Sequence, residues 1–168
     1  RWDSKAQHEK MIELYGYESN VQQRTFDTYN DVDCYHYSGL HDLIKYMKWG
    51  YGKVTDHATR EIRLKRMTRS EGIRLVEKYE NVTPNDIGIF CNWIGIRENE
   101  LMRTFNKFRS KTFWSKENNS WKLNDSIIEH QNEDGVDKVA LEKMYECIFN
   151  PTSKRTNCPE INKYTLIG

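Results

Sequence analysis

The chain has 168 residues, 37% of them hydrophobic and 30% charged, and 26 Lys and Arg almost balance 25 Asp and Glu, leaving a net charge of +1. That length predicts one domain, or one domain with a tail, and five Trp, ten Tyr and six Phe supply the apolar surface that a disordered polar chain lacks. The near-neutral total speaks against a wholly basic nucleic-acid binder, no apolar run approaches the roughly 18 residues that cross a bilayer, and Cys34, Cys91, Cys147 and Cys158, with no CxxC pair, fit reduced cytoplasmic thiols rather than a disulfide framework.

Taken in order, residues 1–20 read as a polar helix with a modest apolar side at Met11, Ile12, Leu14 and Tyr15, ended by Gly16. Residues 21–37 have no helical period and predict an extended or loop segment, closed by a turn at Ser38-Gly39. Leu40, Leu43, Ile44 and Met47 are spaced for one face of a helix, which Gly50 and Gly52 stop. Thr55 is a fair N-cap for the next helix, with acidic Asp56 at its start as the helix dipole prefers. On it Asp56, Arg60 and Arg63 share one face and His57 and Glu61 the neighbouring one, with Ile62 as the expected anchor.

Thr68-Arg-Ser-Glu71 matches the capping box and starts a third helix through Ile73, Val76 and Tyr79. Thr83-Pro84 predicts another start, carried by Ile87, Phe90, Cys91 and Ile94 as far as Gly95. The helix after it, residues 97–109, is expected to bury Leu101, Met102, Phe105 and Phe108. Flanking Lys116–Asn119, two short runs with Trp114 and Trp121 read as a hairpin. Residues 124–135 read as a linker, 136–149 as a last helix and 151–168 as a tail, so the fold class is mainly α with one small β-hairpin, divided at 1–126 and 127–168.

Charge is concentrated in one place. Between Lys45 and Tyr79 ten Lys or Arg face four acids, a surplus of six, so the other residues sum to about −5. A solvated helix face accounts for such a strip as readily as an anionic partner does. Trp49-Gly-Tyr-Gly-Lys53 ahead of a helix has the ingredients of an anion site, namely flexible backbone, a Lys and free helix-start N–H groups, but it matches neither GxxxxGK[ST] nor GxGxxG. Asp56 and His57, beside cations at that turn, are the general acid/base candidates, weighed against plain capping roles. Cys34-x-His36-x4-His41 offers zinc-ligand types at no standard spacing and without a fourth ligand, so no metal site is expected.

The run from His41 to Glu80, HDLIKYMKWGYGKVTDHATREIRLKRMTRSEGIRLVEKYE, resembles the carboxy-terminal part of bacterial N-acetyl sugar amidotransferases, whose pattern is like HDYLKYLKFGYGRATDHASREIRxGRMTREEGIxLVxxYD. The likeness continues through Ile89–Gly95, Phe105–Arg109 and the Trp114/Trp121 pair, spanning roughly residues 11 to 126. It implies the C-terminal portion of a larger α/β enzyme of the PP-loop ATP pyrophosphatase group, serving LPS O-antigen, pseudaminic-acid or flagellin-glycan synthesis. Such enzymes use ATP and Mg²⁺ to adenylylate a carbonyl oxygen, after which ammonia from a glutaminase partner attacks and the N-acetyl group of a nucleotide-linked sugar becomes acetamidino. The SGGxDS-type ATP loop is absent from this chain, and Ser38–Asp42 is no substitute.

Carried over by resemblance, Lys45, Lys48, Gly50, Gly52, Lys53, Thr55, Arg60, Arg63, Arg66 and Arg69 line the sugar and phosphate side, with Asp56 and His57 as the catalytic candidates. Arginine suits this role because guanidinium pairs with phosphate oxygens in a bidentate way. The implied partners are the N-acetylated sugar, the ammonia-supplying subunit and the enzyme's own N-terminal PP-loop domain. The competing reading is a basic helical module for nucleic acid or protein without catalysis, in which Tyr46, Trp49 and Tyr51 would stack bases. No recognised nucleic-acid motif supports it.

Overall fold

The computed structural model describes residues 3–28 and 35–133. Contacts divide the chain into a unit from Arg1 to Gln131 and one from Asn132 to Gly168. The predicted last helix at 136–149 lies outside the described residues, as does Cys34. Among the described residues the first unit contains six helices and one two-stranded hairpin, a mainly α fold.

Helix α1 (Ser4–Tyr15) starts where the Asp3 carboxylate accepts the Lys5 and Ala6 N–H groups, and it stops at Gly16, whose φ of +66° is costly for any side chain. Helix α2 (Tyr35–Trp49) differs from expectation, because Ser38 and Gly39 lie inside it rather than in a turn. The reason is packing. A Cβ on Gly39 would come within 2.6 Å of Pro84 Cβ, so glycine serves here to bring two backbones together rather than to bend one.

Helix α3 (Lys53–Arg63) and helix α4 (Arg69–Tyr79) form a tight pair that closes over Gly72, where a Cβ would sit 3.1 Å from Ile62 Cδ1 and 3.4 Å from Ala58 Cβ. Val54 and Ala58 are the buried apolar residues of α3, while Ile62 is only half-buried. The capping box at Thr68 is present: its hydroxyl accepts the Glu71 N–H, and Glu71 accepts the Thr68 N–H at 2.8 Å.

Helix α5 (Asp86–Ile94) begins two residues after Pro84, and Gly95 closes it at φ +72°. Helix α6 (Glu98–Asn106) is shorter than expected, which leaves Phe108 beyond its end and 59% exposed. The core joins Leu40, Leu43 and Met47 of α2 to Ile87 and Cys91 of α5 and to Leu101 and Phe105 of α6. Strands β1 (Trp114–Glu117) and β2 (Ser120–Leu123) pair antiparallel, Trp114 opposite Leu123 and Glu117 opposite Ser120. Asn118 and Asn119 both take positive φ (46° and 69°), which suits the two-residue hairpin turn that asparagine tolerates. Trp114 is buried, and the Arg109 guanidinium lies 4.0 Å over its ring and 5.4 Å from that of Trp121.

Candidate functional site at the start of α3

The Trp49–Lys53 turn delivers the chain into α3, and its geometry is set by groups far away in sequence. Gly50 takes φ +80°, and a Cβ there would lie 2.7 Å from Leu123 Cδ1, so the turn sits directly against the hairpin. Gly52 is the N-cap and offers no side chain to the helix start. Two carboxylates from elsewhere replace it: Asp42 Oδ1 accepts the Lys53 N–H at 2.6 Å, and Glu80 Oε1 accepts the Gly52 N–H and the Thr55 hydroxyl, each at 3.1 Å. Thr55 therefore stands inside the helix, three residues past the N-cap, because remote carboxylates let α3 begin earlier than its local sequence suggests.

Arg24 holds this arrangement from behind. Its Nε donates to Asp42 Oδ2 at 2.8 Å, its Nη2 to the Glu80 carbonyl at 2.7 Å, and its Nη1 to the Val82 carbonyl. Burial raises the pKa of Glu80, while the bonds from Gly52 and Thr55 act the other way. Helix α2, segment 22–27, the end of α4 and the start of α3 thus meet in one buried polar joint.

The predicted catalytic pair points in two directions. Asp56 is exposed and pairs with the Lys45 ammonium. His57 is buried: its Nδ1 is hydrogen-bonded to Thr25 Oγ1 at 2.7 Å, its ring meets Phe26 edge-on, and burial pushes its pKa down to about 4 in spite of Asp27 3.9 Å away. The structure does not bring the two together.

Most of the predicted arginines have internal partners. Arg60 pairs with Asp27 and, at 3.0 Å, with Glu61; Arg66 grips Glu61 through two nitrogens at 2.6 and 2.8 Å and Asp3 at 2.7 Å. The hydrogen bond from Arg66, then that from Arg60, holds the Glu61 carboxyl below its usual range. Arg69 donates to the carbonyls of His130 and Gln131 at 2.6 and 3.1 Å, and Arg63 is exposed.

Of the predicted lysines, Lys48 is exposed and Lys45 and Lys53 are half-buried. Lys48 sits 4.9 Å over the Trp49 ring, and Lys45 sits 4.5 Å over the Tyr51 ring. Trp49 (47%) and Tyr51 (42%) are exposed, and Trp49 meets Phe113 at a 64° angle, with centroids 6.3 Å apart. Lys53 points to a narrow cleft, where its Nζ donates to Ser38 Oγ at 2.9 Å. Burial lowers its pKa, and Asp42 counters that.

Sequence reasoning passed over Arg24, Thr25, Asp27, Asp42 and Glu80. Arg24, Thr25 and Asp27 stand in a segment without periodicity, and the partners of Arg24 are 18 to 58 residues away. The one available signal was Gly52, since a Cβ there would come within 3.1 Å of Asp42 Oδ2.

The ATP and Mg²⁺ that the resemblance implies do not fit this helix start. The Gly52 and Lys53 N–H groups that a phosphate would use already serve carboxylates, whose charge repels phosphate oxygens. Among the described residues, no group of three His, Cys, Asp or Glu side chains is placed to hold a metal ion. Among them, too, no helix is long and apolar enough to cross a membrane.

No curated protein matches the chain. A family model described as the C-terminal domain of WbpG-like LPS biosynthesis proteins matches residues 23–127, from the buried Arg24 segment through the hairpin. With more than half of its length matched, including every element of the polar joint, the chain belongs to the family of WbpG-like LPS biosynthesis proteins through their C-terminal domain.

Proposed function

We propose that this chain is the sugar-side portion of an ATP-dependent amidotransferase that converts the N-acetyl group of a nucleotide-linked sugar to an acetamidino group during surface-polysaccharide or flagellin-glycan synthesis in the cytoplasm. The observation that carries this reading is the Trp49–Tyr51 turn, which lies against the hairpin at Gly50 and presents two exposed rings, each beside a lysine ammonium. Aromatic faces pack against the polarised C–H face of a pyranose or against a nucleobase, and the ammonium groups suit its diphosphate. In the net exchange the acetyl carbon loses its carbonyl oxygen and gains the nitrogen of ammonia, with a glutaminase subunit as the ammonia source. ATP would turn that oxygen into a leaving group, releasing pyrophosphate when the oxygen is adenylylated and AMP when it departs, and its site is proposed to lie in a PP-loop domain that this sequence does not contain.

This chain's own contribution is to hold and orient the sugar. Lys48 and Arg63 are the exposed cations for an anionic ligand, Lys45 stands beside them paired with Asp56, and Asp56 is the carboxylate of the Asp56/His57 pair that a ligand can meet. His57, buried and bonded to Thr25, is out of a ligand's reach and has a structural role. The nucleic-acid reading loses ground because Arg60, Arg66 and Arg69 have internal acceptors and add little to a free basic strip.

The test is a full-length enzyme supplied with its glutaminase, ATP and a panel of nucleotide-linked N-acetyl sugars. Transfer of isotopically labelled ammonia into the sugar, seen by mass spectrometry, is the expected result. No transfer to any member of the panel, together with oligonucleotide binding that falls steeply with salt, would overturn it.

A further inference from the structure

Trp49 is the last residue of α2, and Gly50 turns the chain out of the helix at φ +80°. A ring at such an end, 47% exposed, has more than one staggered rotamer open to it unless a neighbour closes the others. The Lys48 ammonium stands over the ring, but on an exposed and flexible stem that sets no angle. The Phe113 ring does set one. It meets Trp49 at 64° with centroids 6.3 Å apart, the tilted arrangement that ring quadrupoles favour.

Phe113 can hold another ring because its own place is fixed. Its N–H donates to the Ser110 carbonyl at 3.1 Å, and its carbonyl accepts the Asn124 N–H at 2.9 Å. The Asn124 side-chain amide reaches back to the Lys111 and Thr112 carbonyls at 3.4 and 3.2 Å, so the residue that follows β2 pins the loop that leads into β1. Beside Phe113, Trp114 is buried, lies under the Arg109 guanidinium and meets the Tyr46 ring edge-on with centroids 5.2 Å apart. Tyr46 belongs to the last turn of α2, where its carbonyl accepts the Gly50 N–H at 2.7 Å. The root of the hairpin is thereby fastened to the same helix turn that carries Trp49, and Phe113 passes that order on to the exposed ring.

We propose that Phe113, pinned by Asn124, is a positioning residue for Trp49: it holds the indole at the angle at which a ligand ring packs against it. The inference deepens the sugar-side reading above and rests on it for the identity of the ligand.

Fluorotryptophan incorporated into the full chain, with the Trp49 resonance assigned by its loss in Trp49→Phe, tests the positioning apart from any reaction. In Phe113→Leu, which keeps apolar bulk but no ring, the Trp49 line is expected to narrow as the indole gains motion, while the line of Trp93, stacked on Tyr37, stays as it is. Asn124→Ala, which alters neither ring, is expected to narrow it too, and Phe113→Tyr, which keeps the ring, to preserve the parent line. In the full-length enzyme Phe113→Leu is expected to raise the KM for the sugar about fivefold with kcat unchanged. It should add nothing where Trp49→Ala is already present, because the effect passes through Trp49. A Trp49 line as broad as the parent's in Phe113→Leu or in Asn124→Ala overturns the proposal, as does an equal rise in KM with and without Trp49. Narrowing in an enzyme that transfers ammonia to no sugar keeps the positioning and sinks the amidotransferase reading; transfer without narrowing does the reverse.

Discussion

Arg24 and Asp42 form an ion pair at 2.8 Å with side chains only 2% and 1% exposed, and through Asp42 that pair reaches the first N–H group of α3. Removing one member of a buried pair leaves the charge of the other without its counter-charge or water. Arg24→Met is therefore expected to lower stability by about 3–5 kcal/mol, read as a fall in the urea midpoint. A change within the scatter of ordinary surface substitutions would show that the pair contributes little.

His57 ties stability to acid. Its pKa falls from 6.5 to about 4 on folding, so between those values the unfolded chain binds the extra proton. The contribution is complete above pH 6.5 and is lost as pH falls toward 4, by on the order of 3 kcal/mol. Glu80 has the opposite sign, since burial raises its pKa and the folded form takes up a proton more readily. Comparing the parent with His57→Gln cancels Glu80. The expected outcome is a flatter stability profile between pH 4 and 6.5 in the variant, and equal slopes would refute the assignment.

Gly39→Ala places a methyl 2.6 Å from Pro84 Cβ and 3.1 Å from an Asp86 oxygen, and the proline cannot yield as a flexible side-chain tip could. A loss of about 1–3 kcal/mol is expected from forced overpacking. The loss should be recovered in part by Pro84→Gly in the same chain, which removes the Cβ, and not by Pro84→Ala, which keeps it, as measured by thermal denaturation of the double variants.

Trp49→Ala and Tyr51→Ala remove exposed rings, so the melting temperature of each variant should stay close to the parent's. In the full-length enzyme the KM for the sugar substrate is expected to rise about tenfold, a difference of about 1.4 kcal/mol. An unchanged KM in both variants would remove the ring faces from the binding site.

Where one short stretch carried its own signal, the fold was readable. The Thr68–Glu71 box, the stops at Gly16 and Gly95 and the hairpin around Asn118-Asn119 are each decided by neighbours within a few residues. Ser38-Gly39 misled because a glycine that permits close packing is written with the same letter as one that permits a turn. The α3 start misled for a related reason, since Asp42 and Glu80, 11 and 28 residues distant from the amides they cap, do the work assigned to Thr55. At the site, the basic strip was legible as charge, but its pairing was not. The acids that neutralise Arg60 and Arg66 include Asp27 and Asp3, 33 and 63 residues away, and no local spacing records such partners.

The remote capping of α3 also bears on how this unit assembles. A helix of 11 residues is too short to persist alone in water, and this one draws its start signal from carboxylates on two other segments. As an isolated peptide, residues 53–63 would be largely coil. Its start is tied to α2 and to the end of α4, which couples its amide protection to that of both neighbours. Hydrogen exchange at Lys53 and Gly52 would therefore report on opening of the whole joint rather than on fraying of one helix end.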